Sequence, residues 1–129
     1  MSTLKRFSSL MLCAAIAALA GCGGSPKCGP VGLNVTPAMT TLDHNAAPPA
    51  NSQKLSATFQ FSGNPGCPGV TAALVNSNWT VSDPSVHLSA QQATQVIATC
   101  KAAVAAPVTI TATPVSGEMF TGQASLTCN

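Results

Sequence analysis

Between residues 54 and 61, Leu55, Ala57, Phe59 and Phe61 alternate with Lys54, Ser56, Thr58 and Gln60. Successive side chains of an extended chain point to opposite faces, so this stretch has one apolar and one polar side. It belongs in a half-buried strand. Residues 108–113 repeat the pattern, with β-branched Val108 and Ile110 suited to a pleated surface. Residues 121–128 put Ala124, Leu126 and Cys128 on one side, and residues 78–82 turn Trp79 and Val81 inward. Weaker strands are expected at 31–36, 86–89 and 94–100. Turn formers separate them: Pro48-Pro49, Gly63-Asn64-Pro65-Gly66, Asp83-Pro84 and Ser116-Gly117. No segment sustains a helical period, and the alanines at 102–106 stop at Pro107. About seven short strands with frequent turns imply an all-β fold, an antiparallel β-sandwich. Its expected core contains Trp79, Phe59, Phe61 and Ile110.

The chain begins differently. Lys5 and Arg6 precede a mostly apolar run over residues 7–20 that ends in small residues. A basic head, a short apolar middle and small residues before a cut describe an export signal, expected as an N-terminal signal helix. The run is shorter than the roughly 20 residues a spanning helix needs. Leu19-Ala20-Gly21-Cys22 resembles the lipobox of bacterial lipoproteins at all four positions. That resemblance implies cleavage before Cys22, a diacylglycerol thioether on its sulfur and acylation of the new amino group, with palmitate as the acyl class. It divides the chain into a signal peptide (1–21), a lipidated linker (22–30) and a folded domain (31–129). Gly23 stands where an Asp would resemble the inner-membrane retention signal, which favours the outer membrane in a host that has one.

Removing residues 1–21 from 129 leaves 108 residues, enough for one domain. This mature part balances Lys27, Lys54 and Lys101 against Asp43, Asp83 and Glu118, and so is formally neutral. Without a basic stripe to meet phosphates, nucleic acid is not an expected partner. Beyond Cys22, Cys28, Cys67, Cys100 and Cys128 remain. Four cysteines in a small exported domain point to two disulfides. No pair has the Cys-x-x-Cys spacing of structural zinc, and no His is adjacent in sequence, so no metal or cofactor is expected.

The segment Asn78-Trp79-Thr80-Val81-Ser82-Asp83-Pro84-Ser85-Val86 resembles the W-x-S-x-D-P-S-V-A stretch of bacterial Ig-like repeats of the intimin and invasin type. Leu33-Asn34-Val35-Thr36-Pro37 is similar to their opening strand. Pro107-Val108-Thr109-Ile110-Thr111-Ala112-Thr113 is similar to a later one, with Pro in place of Gly. The likeness spans about residues 31–128 and implies an Ig-like sandwich. The family usually has fewer cysteines and a shorter connection than residues 66–77. Placed on that topology, Cys28 and Cys67 fall at one pole, and Cys100 and Cys128 at the other. The resemblance therefore favours Cys28–Cys67 and Cys100–Cys128.

Candidate sites are few. His44 follows Asp43 in a connection, and His87 alternates outward between Val86 and Leu88; spacing does not bring the two together. Asp83 before Pro84 reads as a turn former rather than a calcium ligand, since calcium takes about six to eight oxygens. No Gly-x-Ser-x-Gly elbow is present. The long connection at 63–77 is the best place for a binding loop. The expectation is a non-enzymatic, lipid-anchored, extracytoplasmic module of the cell envelope. It is held to the membrane through Cys22, with a binding, structural or adhesive role toward a protein or glycan. The alternative is a periplasmic enzyme or metal-binding factor using His44 or His87 and nearby carboxylates.

Overall fold

The computed structural model describes residues 28–62 and 72–129. Residues 1–21, expected as a signal peptide, and Cys22 and Cys67 lie outside the described residues. Nine strands occur among those described: β1 (Pro30–Thr36), β2 (Met39–Leu42), β3 (Ser52–Phe61), β4 (Ser77–Val81), β5 (Val86–Leu88), β6 (Gln92–Ala93), β7 (Gln95–Cys100), β8 (Val108–Pro114) and β9 (Gly122–Cys128). They form two sheets, ordered β1-β3-β7-β5 and β2-β9-β8-β4-β6. Without the short β2 and β6, the remaining seven have the A-B-E-D over G-F-C order of Ig-type sandwiches.

The core forms where the alternating faces meet. Leu55, Ala57, Val96, Ala98, Ile110, Ala112, Leu126 and Trp79 are each at most 2% exposed. Between them run outward residues such as Lys54, Thr80, Ile97 and Thr109. The Trp79 indole N–H donates to the Ala93 carbonyl at 2.8 Å, so the buried ring keeps its polar atom paired. No buried side-chain nitrogen or oxygen among the described residues lacks a partner.

Two expected core residues sit differently. Phe59 and Phe61 are half-buried, and only Phe59 packs against the central cluster. The register gives the reason. β7 pairs with β3 only from Ser52 to Ser56, so the end of β3 runs beyond its main neighbour. Residues 73–75 take over that edge: Val75 N–H donates to Ala57 O at 2.9 Å, and Phe59 N–H to Ala73 O at 3.3 Å. Val75 is thereby 5% exposed and part of the core. The connection expected at 63–77 is thus structured from about residue 73, and Ser77 already belongs to β4.

All pairings are antiparallel except one: β2 lies parallel to β9, with Met39 opposite Ser125 and Leu42 opposite Cys128. The chain leaves β1 in one sheet and enters β2 in the other within two residues, Pro37 and Ala38. Gly122 permits the close approach of β9 to β1. A Cβ there would stand 2.8 Å from the Leu33 carbonyl oxygen and 3.0 Å from Val35 Cγ2.

Candidate functional site

The registers define two poles. At the entry pole, Pro30 opens β1 opposite Phe61 at the end of β3, Ser77 opens β4 opposite Pro114, and the β8–β9 turn closes the end. Gly117 has a positive φ of 92° in that turn, a conformation glycine adopts without a Cβ clash. Phe120, just before β9, meets Phe59 edge to face at 6.0 Å, and Phe59 meets Phe61 at 6.1 Å. Outside this aromatic cluster, Met119 is fully exposed, Val31 is 56% exposed and Val115 is 44% exposed.

The far pole has different chemistry. Cys100 ends β7 in one sheet and Cys128 ends β9 in the other. Their disulfide joins the sheets with Cα atoms 5.7 Å apart. Both cysteines are at most 1% exposed. Closing a 28-residue separation restricts the unfolded chain by about 3–4 kcal/mol. Cys28 is also a disulfide cysteine. Its expected partner, Cys67, lies outside the described residues.

Two aspartate turns complete the far pole. Asp83 Oδ1 accepts from Ser85 N–H at 2.8 Å, and Asp43 Oδ1 accepts from Asn45 N–H at 2.9 Å. The Ser85 backbone and hydroxyl hydrogen bonds hold the Asp83 carboxyl below its ordinary pKa. Asp83 thus spends its carboxylate on a turn, as Asp before Pro readily does. His44 is spent similarly. Its backbone N–H donates to Asn129 O at 3.1 Å, and its ring Nδ1 contacts the same oxygen. It ties the β2–β3 connection to the residue after β9.

His87 is exposed on β5 and lines a shallow groove of 560 Å³ with Trp79, Val81, Pro84, Leu88 and Gln91 among its neighbours. No carboxylate lines that groove. A second hollow of 420 Å³ includes Ser82, Asp83, Ser85 and the 103–108 segment, without a histidine. Among the described residues no three His, Cys, Asp or Glu side chains gather in a way that could hold a metal ion. The described residues also include no helix long and apolar enough to cross a membrane. The aromatic cluster at the entry pole was not legible as a site. Phe59 and Phe61 read as core, and Phe120 follows a turn without periodicity.

Comparisons with protein-family models, with curated proteins and with solved structures find no match for this chain.

Proposed function

We propose that this chain is a lipid-anchored module of the bacterial cell envelope, fixed by acyl chains on Cys22 and displaying an Ig-like sandwich on the extracytoplasmic side. The observation that carries the reading is the order of the N-terminal residues: Lys5 and Arg6, an apolar run, then Leu19-Ala20-Gly21-Cys22. The position of the sandwich agrees with it, because β1 opens at Pro30, eight residues beyond Cys22. A buried CH₂ contributes about 0.8 kcal/mol, and one acyl chain alone holds only marginally. Two or three chains make the attachment durable.

The role we assign to the displayed domain is binding or structural, toward a protein or glycan of the envelope. The intimin- and invasin-type repeat is its proposed relative. The Asp83–Ser85 turn within the resembling segment supports that relation, since it gives those residues a local structural purpose. A disulfide-stapled sandwich fits the oxidising space outside the cytoplasm.

The test replaces Cys22 with Ser in the full chain, expressed in a bacterial host fed labelled palmitate. The unmodified protein is expected in the membrane fraction and carries label. Cys22→Ser should carry none and keep its signal segment uncleaved. A variant that matures normally and still partitions with membranes would sink the lipoprotein reading.

A further inference from the structure

We infer that the entry pole is itself a membrane-contact surface: Val31, Phe61, Val115, Met119 and Phe120 rest on the lipid bilayer to which the chain is tethered. The inference rests on the lipid-anchored reading above and adds a second, non-covalent contact to it.

Three observations converge. The first is composition by position. Met119 is fully exposed, Val31 is 56% exposed and Val115 is 44% exposed. All three lie at the same end of the sandwich as the half-buried rings of Phe61 and Phe120. Exposed apolar residues that stand singly, as Met39 and Ile97 do on the flanks, need no explanation. A group gathered at one end does.

The second is charge. Of the charged residues described, Asp43, Asp83 and Lys101 belong to the far pole, and Lys54 pairs with Ile97 in the half of β3 nearer that pole. Only Glu118 sits at the entry pole, where its carboxylate accepts the Ser116 hydroxyl. Among the described residues, the charges therefore gather toward the far end, and the entry pole is mostly apolar.

The third is the tether. Cys28 lies six residues after Cys22, and a chain spans at most about 3.3–3.6 Å per residue, so the reach is about 20 Å. β3 alone has ten residues, a length of about 33 Å. An inverted domain would hold the entry pole farther from the lipid than the tether extends. The apolar end is the one delivered to the bilayer. Tethering also makes the contact intramolecular, so a weak apolar surface is occupied at high effective concentration. The partner is a lipid surface, because the described part of this pole offers apolar side chains and one carboxylate.

The test places a fluorescent reporter at each pole of the full, lipidated chain. Met119→Trp marks the entry pole, and Ala103→Trp marks the far pole; both positions are exposed, so both variants keep the fold. Each is reconstituted into phosphatidylethanolamine–phosphatidylglycerol vesicles with and without brominated acyl chains. The unmodified chain supplies the signal of buried Trp79. Interfacial side chains reach about 5–10 Å into the headgroup and acyl boundary, so bromine should quench the residue-119 reporter about threefold more than the residue-103 reporter. If the chain floats with vesicles but position 119 is unquenched, the contact is wrong while the anchor stands. Blue-shifted emission at 119 that ignores bromine assigns the pole to a second copy of the chain, and also overturns the proposal. A chain that fails to float with vesicles removes the anchor reading, and the contact falls with it.

Discussion

The far pole and the entry pole of the same two sheets differ in the contacts their described residues make. At the far pole a disulfide joins β7 to β9, two aspartates cap turns, and His44 ties a connection to Asn129. Each of these contacts is directional and satisfied within the molecule. At the entry pole the described contacts are three phenyl rings meeting edge to face, with Met119 left in the open, beside another disulfide cysteine, Cys28. Apolar closure is non-directional and does not complete itself at a surface. Among the described residues, the far pole satisfies its polar groups within the molecule, and the entry pole leaves apolar side chains exposed.

The comparison breaks most readily at the covalent link. Replacing Cys100 and Cys128 together by Ala should cost about 3–4 kcal/mol, read as a lower urea midpoint. Amide exchange should quicken at residues 43–46 and 101–104 more than in the 115–121 turn. Equal quickening at both ends would mean that the disulfide does not act locally.

A smaller effect tests how the entry end packs. Gly122→Ala puts a Cβ 2.8 Å from the Leu33 carbonyl oxygen, a backbone atom with little freedom to yield. We expect a loss of about 1–3 kcal/mol in thermal or urea unfolding. An unchanged midpoint would show that β9 can move away from β1 at no cost.

The smallest effect sharpens the electrostatic half of the contrast. The folded pKa of Asp83 is depressed, so its contribution is present above the unfolded value and disappears as pH falls through the folded one. The window lies at and below the ordinary carboxylate pKa of about 4. Asp83→Asn keeps an acceptor for Ser85 without a titrating proton. Its stability should therefore fall less steeply with acid than that of the parent, in parallel urea titrations. Identical acid profiles would remove Asp83 from the account.

The readable part of the sequence was the part in which a strand carries its own pattern. Alternation over 54–61, 108–113 and 121–128 identified β3, β8 and β9, because each has one face in the core and one in water. The cysteines at the ends of β7 and β9 were legible for the same reason: Val96, Ala98 and Cys100 share a face, as do Ala124, Leu126 and Cys128. β2 was missed. Its four residues bury no side chain fully, and it exists because β9 offers it an edge. Val75 was missed in a connection since its burial depends on the unfilled half of β3. Phe59 and Phe61 were placed too deep because alternation reports which face a residue takes, and not how far along the sheet its cover extends. The same limit hid the candidate surface at the entry pole, assembled from β1, β3 and the β8–β9 turn.

Cys28 stands two residues before the first strand, and Cys128 is the last residue of the final one; both are disulfide cysteines. The fold is therefore hemmed at each margin. A processive peptidase working inward along the backbone meets a cross-linked cysteine before β1 on one side and at the last residue of β9 on the other. Resistance to such trimming would then depend on how rarely the whole sandwich opens, and little on the fraying of its ends.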